Sequence, residues 1–94
     1  MSDVLAEIEE VLRARMAERP GGSYSVRLFE DHDKLQRKVM EEAFELCLEL
    51  GRATPNRERV AAEAADLLFH TLVGLVATGV SLDDVLAELR ARRR

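Results

Sequence analysis

The segment KVMEEAFELCLEL, Lys38 to Leu50, decides how the chain is read. Extended back to Leu35, it sets Leu35, Val39, Ala43, Leu46, Cys47 and Leu50 at helical spacing, an apolar stripe suited to face a core. At about 100° per residue, Glu42, Glu45 and Glu49 form a second narrow stripe, with Lys38 at its N-terminal end and Glu41 on its flank. This acidic stripe borders the apolar one instead of opposing it, so its carboxylates are expected at the rim of the packed interior. A second acidic pair lies in AAEAADLLFH, Ala61 to His70. There Glu63 and Asp66 share a helical face at i,i+3, and His70 continues it one turn later.

Outward from these two segments, periodicity predicts an all-α chain of four helices with no strand. Val4, Leu5, Ile8, Val11, Leu12 and Met16 mark the first, with Ser2 as its N-cap and Pro20-Gly21-Gly22 as its stop. The second begins near Asp31 or Asp33 and closes at Gly51. The third takes Thr54 as N-cap and Pro55 as its first residue and runs to about Thr78, with Gly79 beyond. The fourth opens at Ser81, with Asp84 three residues on. From Leu67 to Val76 the third helix is apolar on nearly every side, more than so small a chain can enclose alone. A symmetric partner is therefore expected to cover the remaining face, in a homodimer or a dimer of dimers whose helices pair into a bundle.

The 94 residues suit one small domain, residues 1–94, of a size that usually draws stability from metals or oligomerisation. Cys47 is the single cysteine, which excludes an internal disulfide; among Leu46, Leu48 and Leu50 it reads as a reduced core thiol. A net charge of −4, no Trp and one Tyr argue against nucleic acid as a partner. The basic run RARRR at residues 90–94 suits the negative end of a helix dipole. MSDVLAEIEE at the N-terminus is too acidic for a signal peptide, and DLLFHTLVGLVATGV, Asp66 to Val80, is too short and polar-punctuated to span a bilayer. The expectation is a cytoplasmic chain that engages neither nucleic acid nor membrane.

Two carboxylate stripes on neighbouring antiparallel helices can converge on one place. Like charges held together repel, and a hard divalent cation resolves the conflict, since Mg²⁺ takes oxygen ligands and favours carboxylates together with phosphates. For Glu41 and Glu49 a solvated helix face explains the pattern equally well. It explains Glu63 and Asp66 less well, because they interrupt a helix of small and apolar residues. His70 reads as a packing residue that orients the Asp66 carboxylate from one turn away.

The pattern Glu-Glu-x-x-Glu at Glu41 to Glu45, followed by Glu-x-x-Asp at Glu63 to Asp66, resembles the all-α nucleoside triphosphate pyrophosphohydrolases. Together with SYSVRLF (Ser23 to Phe29), KVMEEAFE (Lys38 to Glu45) and EAADLLFHTLVGLVATGVSLDDV (Glu63 to Val85), the chain resembles the phosphoribosyl-ATP pyrophosphohydrolase family along nearly its whole length. The resemblance implies Mg²⁺-dependent hydrolysis of 1-(5-phosphoribosyl)-ATP to phosphoribosyl-AMP and pyrophosphate, the second step of histidine biosynthesis. It implies Glu42, Glu45, Glu63 and Asp66 as metal ligands, with Glu41 either a further ligand or the base that takes a proton from water. Lys38 and, more weakly, Arg37 are its candidate cations for phosphate oxygens, and Ser23, Tyr24 and Ser25 its candidate hydroxyl contacts. Without the family, Lys38 reads as an ion pair with Glu42 at i+4, and the serines as a loop anchored by a buried tyrosine. Members commonly carry a glycine where this chain has Glu30-Asp31-His32-Asp33, a slightly shortened connection, and a small residue where it has Met40. The low cysteine and histidine content argues against a fused cyclohydrolase, so a separate cyclohydrolase chain is expected to perform the next step.

Two other readings compete. A housekeeping pyrophosphohydrolase acting on deoxy or non-standard triphosphates would keep every carboxylate and change the base pocket. A helical dimerisation module would explain the apolar third helix but give no reason to gather five carboxylates.

Overall fold

The computed structural model describes residues 3–93. Among them are five α-helices and no strand: α1 (Val4–Glu18), α2 (Tyr24–Glu30), α3 (His32–Leu50), α4 (Arg57–Thr78) and α5 (Leu82–Ala91). The chain is all-α as expected, with one helix more than the four predicted. The addition is α2, in the segment read as a loop. Its seven residues are too few to display a period, yet Ser25, Val26, Leu28 and Phe29 are all buried.

Local chemistry sets most boundaries. Asp31 caps α3 by accepting from the Lys34 amide at 3.0 Å, so the shortened connection between α2 and α3 is a single capping residue. The third predicted helix starts later than Thr54-Pro55: Asn56 is the N-cap of α4 and accepts from the Arg59 amide at 3.1 Å. Ser81 and Asp84 form a reciprocal capping box on α5. Glu9 of α1 also accepts from the Leu82 amide at 2.7 Å, which ties α5 to α1. Ser2 lies outside the described residues; Asp3 occupies the N-cap position of α1.

Helices α3 and α4 form the longest pairing and run antiparallel, since Leu35 meets Gly74 while Glu42 and Glu45 meet Glu63. The apolar core sits at one end of this hairpin, where Leu35, Leu72, Val73 and Val76 pack with Leu12, Val26, Leu28, Phe29 and Leu82. Leu28 and Val73 are fully enclosed. Truncating Leu28 to alanine there costs about 2–5 kcal/mol by lost transfer energy and cavity formation.

The other half of the hairpin projects away, giving extents of 45 × 32 × 24 Å. Between Leu35 and His70 the only buried described residues are Glu42 and Glu49. The acidic stripe therefore straddles the rim: Glu42 and Glu49 turn inward further than expected, while Glu45 between them is exposed. The structure also corrects the placement of Cys47, which is exposed and half a turn or so around the helix from Glu42. Phe44, Leu48, Leu50 and Leu68 are exposed as well. Helix α4 is thus not enclosed within this chain, and Leu68 marks its open face.

The whole of α4 is longer than the apolar run within it, and by length and composition alone it would suffice to cross a membrane, a test that the core helix of a folded domain also passes. Here His70, Leu72, Val73 and Val76 of that helix are buried in the fold.

Candidate active site

The hairpin brings carboxylates of both helices together. One oxygen each from Glu42, Glu45 and Glu63 lies within 4.8 Å of the other two. Helical spacing explains the convergence: Glu42 and Glu45 are neighbours at i,i+3 on α3, and the antiparallel register sets Glu63 of α4 opposite them. Glu42 is 6% exposed, and Oε2 of Glu42 and Oε2 of Glu63 are buried with no hydrogen-bond partner among the described residues. Leaving buried carboxylate oxygens unpaired is costly, so the arrangement asks for a ligand.

The electrostatics carry the same message. The Glu63 carboxyl titrates above its ordinary range, first because it shares a hydrogen bond with Glu45, then because burial disfavours its charge. The negative charges of Glu45, Asp66 and Glu42 push in the same direction. Three carboxylates gathered this closely, presenting only oxygen donors, match a hard divalent cation such as Mg²⁺. Glu42, Glu45 and Glu63 would hold it.

The remaining candidates fall at different distances from this cluster. Asp66 is exposed and outside the three-carboxylate group, near enough to act on Glu63 through charge. Glu41 is exposed and pairs with Lys38 at 3.5 Å; Lys38 also lies 3.8 Å from Glu42. The Lys38 ammonium gives up its proton less readily than usual, chiefly because the nearby Tyr24 becomes a phenolate in the same high pH range, with Glu41 and Glu42 adding to this and desolvation partly opposing it. Glu49 is buried but balanced by the Arg52 guanidinium, with contacts at 3.0 and 3.4 Å. Arg37 is exposed and makes no ion pair among the described residues.

His70 has a different role from the one expected. Its Nδ1 donates to the backbone carbonyl of Asp66 at 2.9 Å, not to that residue's carboxylate. A carbonyl can only accept, so Nδ1 carries the proton, and in the neutral ring Nε2 is an acceptor. Tyr24 therefore donates its hydroxyl hydrogen to His70 Nε2 at 2.8 Å. Edge-on contacts with Tyr24 and Phe69 hold the imidazole in place. Tyr24 is 37% exposed, not the buried anchor of a loop. Ser23 and Ser25 lie with their hydroxyl oxygens 3.1 Å apart, and Arg15 of α1 reaches Ser23 at 3.4 Å. Arg15 went unremarked in the sequence because its neighbours come from α2, a contact no local spacing announces.

The sequence pattern of phosphoribosyl-ATP pyrophosphohydrolases matches residues 5–93. The chain belongs to this family. It is 42% identical over 95 residues to a phosphoribosyl-ATP pyrophosphatase of Metallosphaera sedula, with the whole of both chains covered. A phosphoribosyl-ATP pyrophosphatase of Pyrobaculum arsenaticum is 47% identical over 92 residues, covering 97% of this chain and 96% of that one. The histidine biosynthesis bifunctional protein HisIE of Pyrococcus furiosus is 40% identical over 92 residues, 97% of this chain but 42% of that protein. The family domain thus occurs both alone and within a longer protein, and the matched region takes in all five helices except Val4, the first residue of α1.

Proposed function

We propose that the chain hydrolyses 1-(5-phosphoribosyl)-ATP between its α and β phosphorus atoms, releasing phosphoribosyl-AMP and pyrophosphate in the second step of histidine biosynthesis. Family membership supplies the substrate, and the observation that carries the chemistry is the Glu42–Glu45–Glu63 cluster with its two unpartnered buried oxygens. Water adds to the α-phosphorus, the α–β P–O bond breaks, pyrophosphate leaves and the water's proton passes to a carboxylate. Glu42, Glu45 and Glu63, with the charge of Asp66 acting on Glu63, would hold a Mg²⁺ ion, which would supply charge neutralisation and polarisation of the phosphates.

The chain's own residues do the rest. Glu41, exposed, outside the cluster and next to Glu42 in the chain, accepts the proton. Lys38 sits between Glu41 and Glu42 and meets the triphosphate as a point charge. The exposed apolar side chains Phe44, Leu48 and Leu68 are covered by a second copy of the chain, so that the working unit is a homodimer or a pair of such dimers. The enzyme works in the cytoplasm and passes its product to a cyclohydrolase.

The decisive experiment measures pyrophosphate release from phosphoribosyl-ATP with and without Mg²⁺, beside ordinary and deoxy nucleoside triphosphates. Selective, metal-dependent release from phosphoribosyl-ATP is expected. Preference for a deoxy or non-standard triphosphate would transfer the same carboxylates to a housekeeping activity. Absence of release from every triphosphate would leave the helical dimerisation module standing.

A further inference from the structure

A groove of about 380 Å³ opens between α1, α2 and α4. Val11 and Phe69 supply apolar wall, and Glu7, Arg15, Tyr24 and Ser25 supply polar rim. Val11 is 51% exposed, an uncovered apolar surface on the groove. The guanidinium of Arg15 has no carboxylate within salt-bridge distance among the described residues, whereas Arg13 on the same helix is paired with Glu9 at 3.0 Å. Its one polar contact is the long 3.4 Å approach to the Ser23 hydroxyl. Ser23 and Ser25 share a hydrogen bond at 3.1 Å, which occupies one of their two hydroxyl hydrogens and leaves the other to donate. Ser25 is 5% exposed, so its hydroxyl is fixed in place.

This rim offers donors to an anion: an unpaired guanidinium and a spare serine hydroxyl. Glu7 disfavours an anion at the opposite end. It lies two turns from Arg15, about 12 Å along the helix. Tyr24 connects the groove to the side of α4 that carries Asp66 and, through its proximity to Lys38, to α3 near Glu42. It lines the groove, and its hydroxyl is bonded to His70, whose other nitrogen is bonded to the Asp66 backbone. A ligand with its triphosphate at the carboxylates can therefore extend past Tyr24 into the groove.

We propose that the groove binds the phosphoribosyl end of the substrate, with Arg15, Ser23 and Ser25 holding its terminal phosphate monoester and Val11 and Phe69 packing on the purine. The assignment rests on the function proposed above. It deepens that reading by naming what separates phosphoribosyl-ATP from ATP, which has the same triphosphate and purine but no second phosphate-bearing sugar. A guanidinium fork matches a phosphate dianion geometrically, and a charge-assisted contact of this kind sets KM more than kcat because it lies away from the reacting phosphorus.

The test compares steady-state hydrolysis of phosphoribosyl-ATP and of N1-ribosyl-ATP, which lacks the terminal phosphate, by the native chain and by Arg15→Ala, Arg15→Lys and Ser23→Ala. Arg15→Ala is expected to raise KM for phosphoribosyl-ATP by about 10- to 100-fold, with a much smaller change for N1-ribosyl-ATP. Arg15→Lys recovers part of the loss, and Ser23→Ala shows the same selectivity at smaller size. Equal effects of Arg15→Ala on the two substrates, or none on either, overturn the groove assignment while native turnover of phosphoribosyl-ATP leaves the proposed function intact. A native chain that does not prefer phosphoribosyl-ATP overturns both.

Discussion

At the end of the α3–α4 hairpin that packs on α1 and α2, Leu35, Leu72, Val73 and Val76 are inside and charge is outside. In the projecting half the order is reversed: Glu42 and Glu49 are the buried residues, while Phe44, Leu48 and Leu68 face solvent at 64%, 53% and 51% exposure. The first region folds the chain. The second is unstable by the same rules unless something neutralises the inner carboxylates and something covers the outer apolar groups. One hairpin thus combines a core that is complete within the chain with an arm that leaves clustered carboxylates on one side and apolar side chains exposed on the other, the two features the proposed cation and second copy would answer.

The strongest way to break this contrast is to remove the inner charges. Glu42→Gln and Glu45→Gln keep the shape of the side chain and delete its charge, so the helical fold should persist by circular dichroism. Turnover should fall by on the order of 10²–10³-fold or more, the usual cost of losing one preorganised electrostatic contact at a reacting phosphate. Asp66→Asn extends the series to a carboxylate outside the cluster. Near-native rates in both Glu42→Gln and Glu45→Gln would show that the clustered acids take no part in turnover.

The next test addresses the outer side. Phe44→Asp places charge where the proposed second copy sits and should convert the dimer to monomer in sedimentation. It weakens association by about 1.5–3 kcal/mol per protomer, the value of burying one such side chain. The core end of the hairpin contains no part of that face, so the monomer should retain its helicity. A native chain that is already monomeric at assay concentration would instead mean that the apolar arm tolerates water.

How much of this could be read from the residues varies with what each feature depends on. The Ser81 start with Asp84 three residues on was legible because donor and acceptor are that close in the chain, whereas the start of α3 was placed near Asp31 or Asp33 without deciding which residue caps it. The joint pattern of Glu42, Glu45 and Glu63 was legible because helical spacing plus an antiparallel partner is enough to bring them together. The inversion of the arm was not. Periodicity gives angles between side chains on one helix but not which angle points inward. The apolar majority was therefore assigned to the inside, and Cys47 with it. For His70 the i,i+4 spacing to Asp66 was right and the atom was wrong: at that spacing the carbonyl of the preceding turn is in reach of the ring. Helix α2 and the Arg15–Ser23 contact depend on tertiary packing, for which no local pattern exists.

A finer measurement follows the charge inside the cluster. The carboxyl of Glu63 titrates above its ordinary range because of Glu45 and burial. Its contribution to stability is therefore fully present at pH values below the unfolded carboxyl range and is lost as pH rises through the higher folded value. In metal-free protein the melting-temperature advantage of the native chain over Glu63→Gln should shrink as pH climbs from acid toward neutral. Saturating Mg²⁺ should restore stability to the native chain at neutral pH and do less for the variant. A difference that stays constant with pH would mean that Glu63 and Glu45 do not share a proton.

The smallest expected effect separates the two buried glutamates from each other. Glu49 is 8% exposed and has an internal counter-ion, Arg52, while Glu42 has an oxygen with no partner. If counter-charge is what distinguishes a structural acid from a metal-binding one, Arg52→Ala should cost less than about 1 kcal/mol, because the guanidinium is half exposed and well screened. Turnover and the stabilisation by Mg²⁺ should both be unchanged, since Glu49 stands outside the three-carboxylate group. A large loss of activity in Arg52→Ala would place Glu49 within reach of the metal, and the inner stripe of α3 would then have to be treated as one continuous site from Lys38 to Arg52.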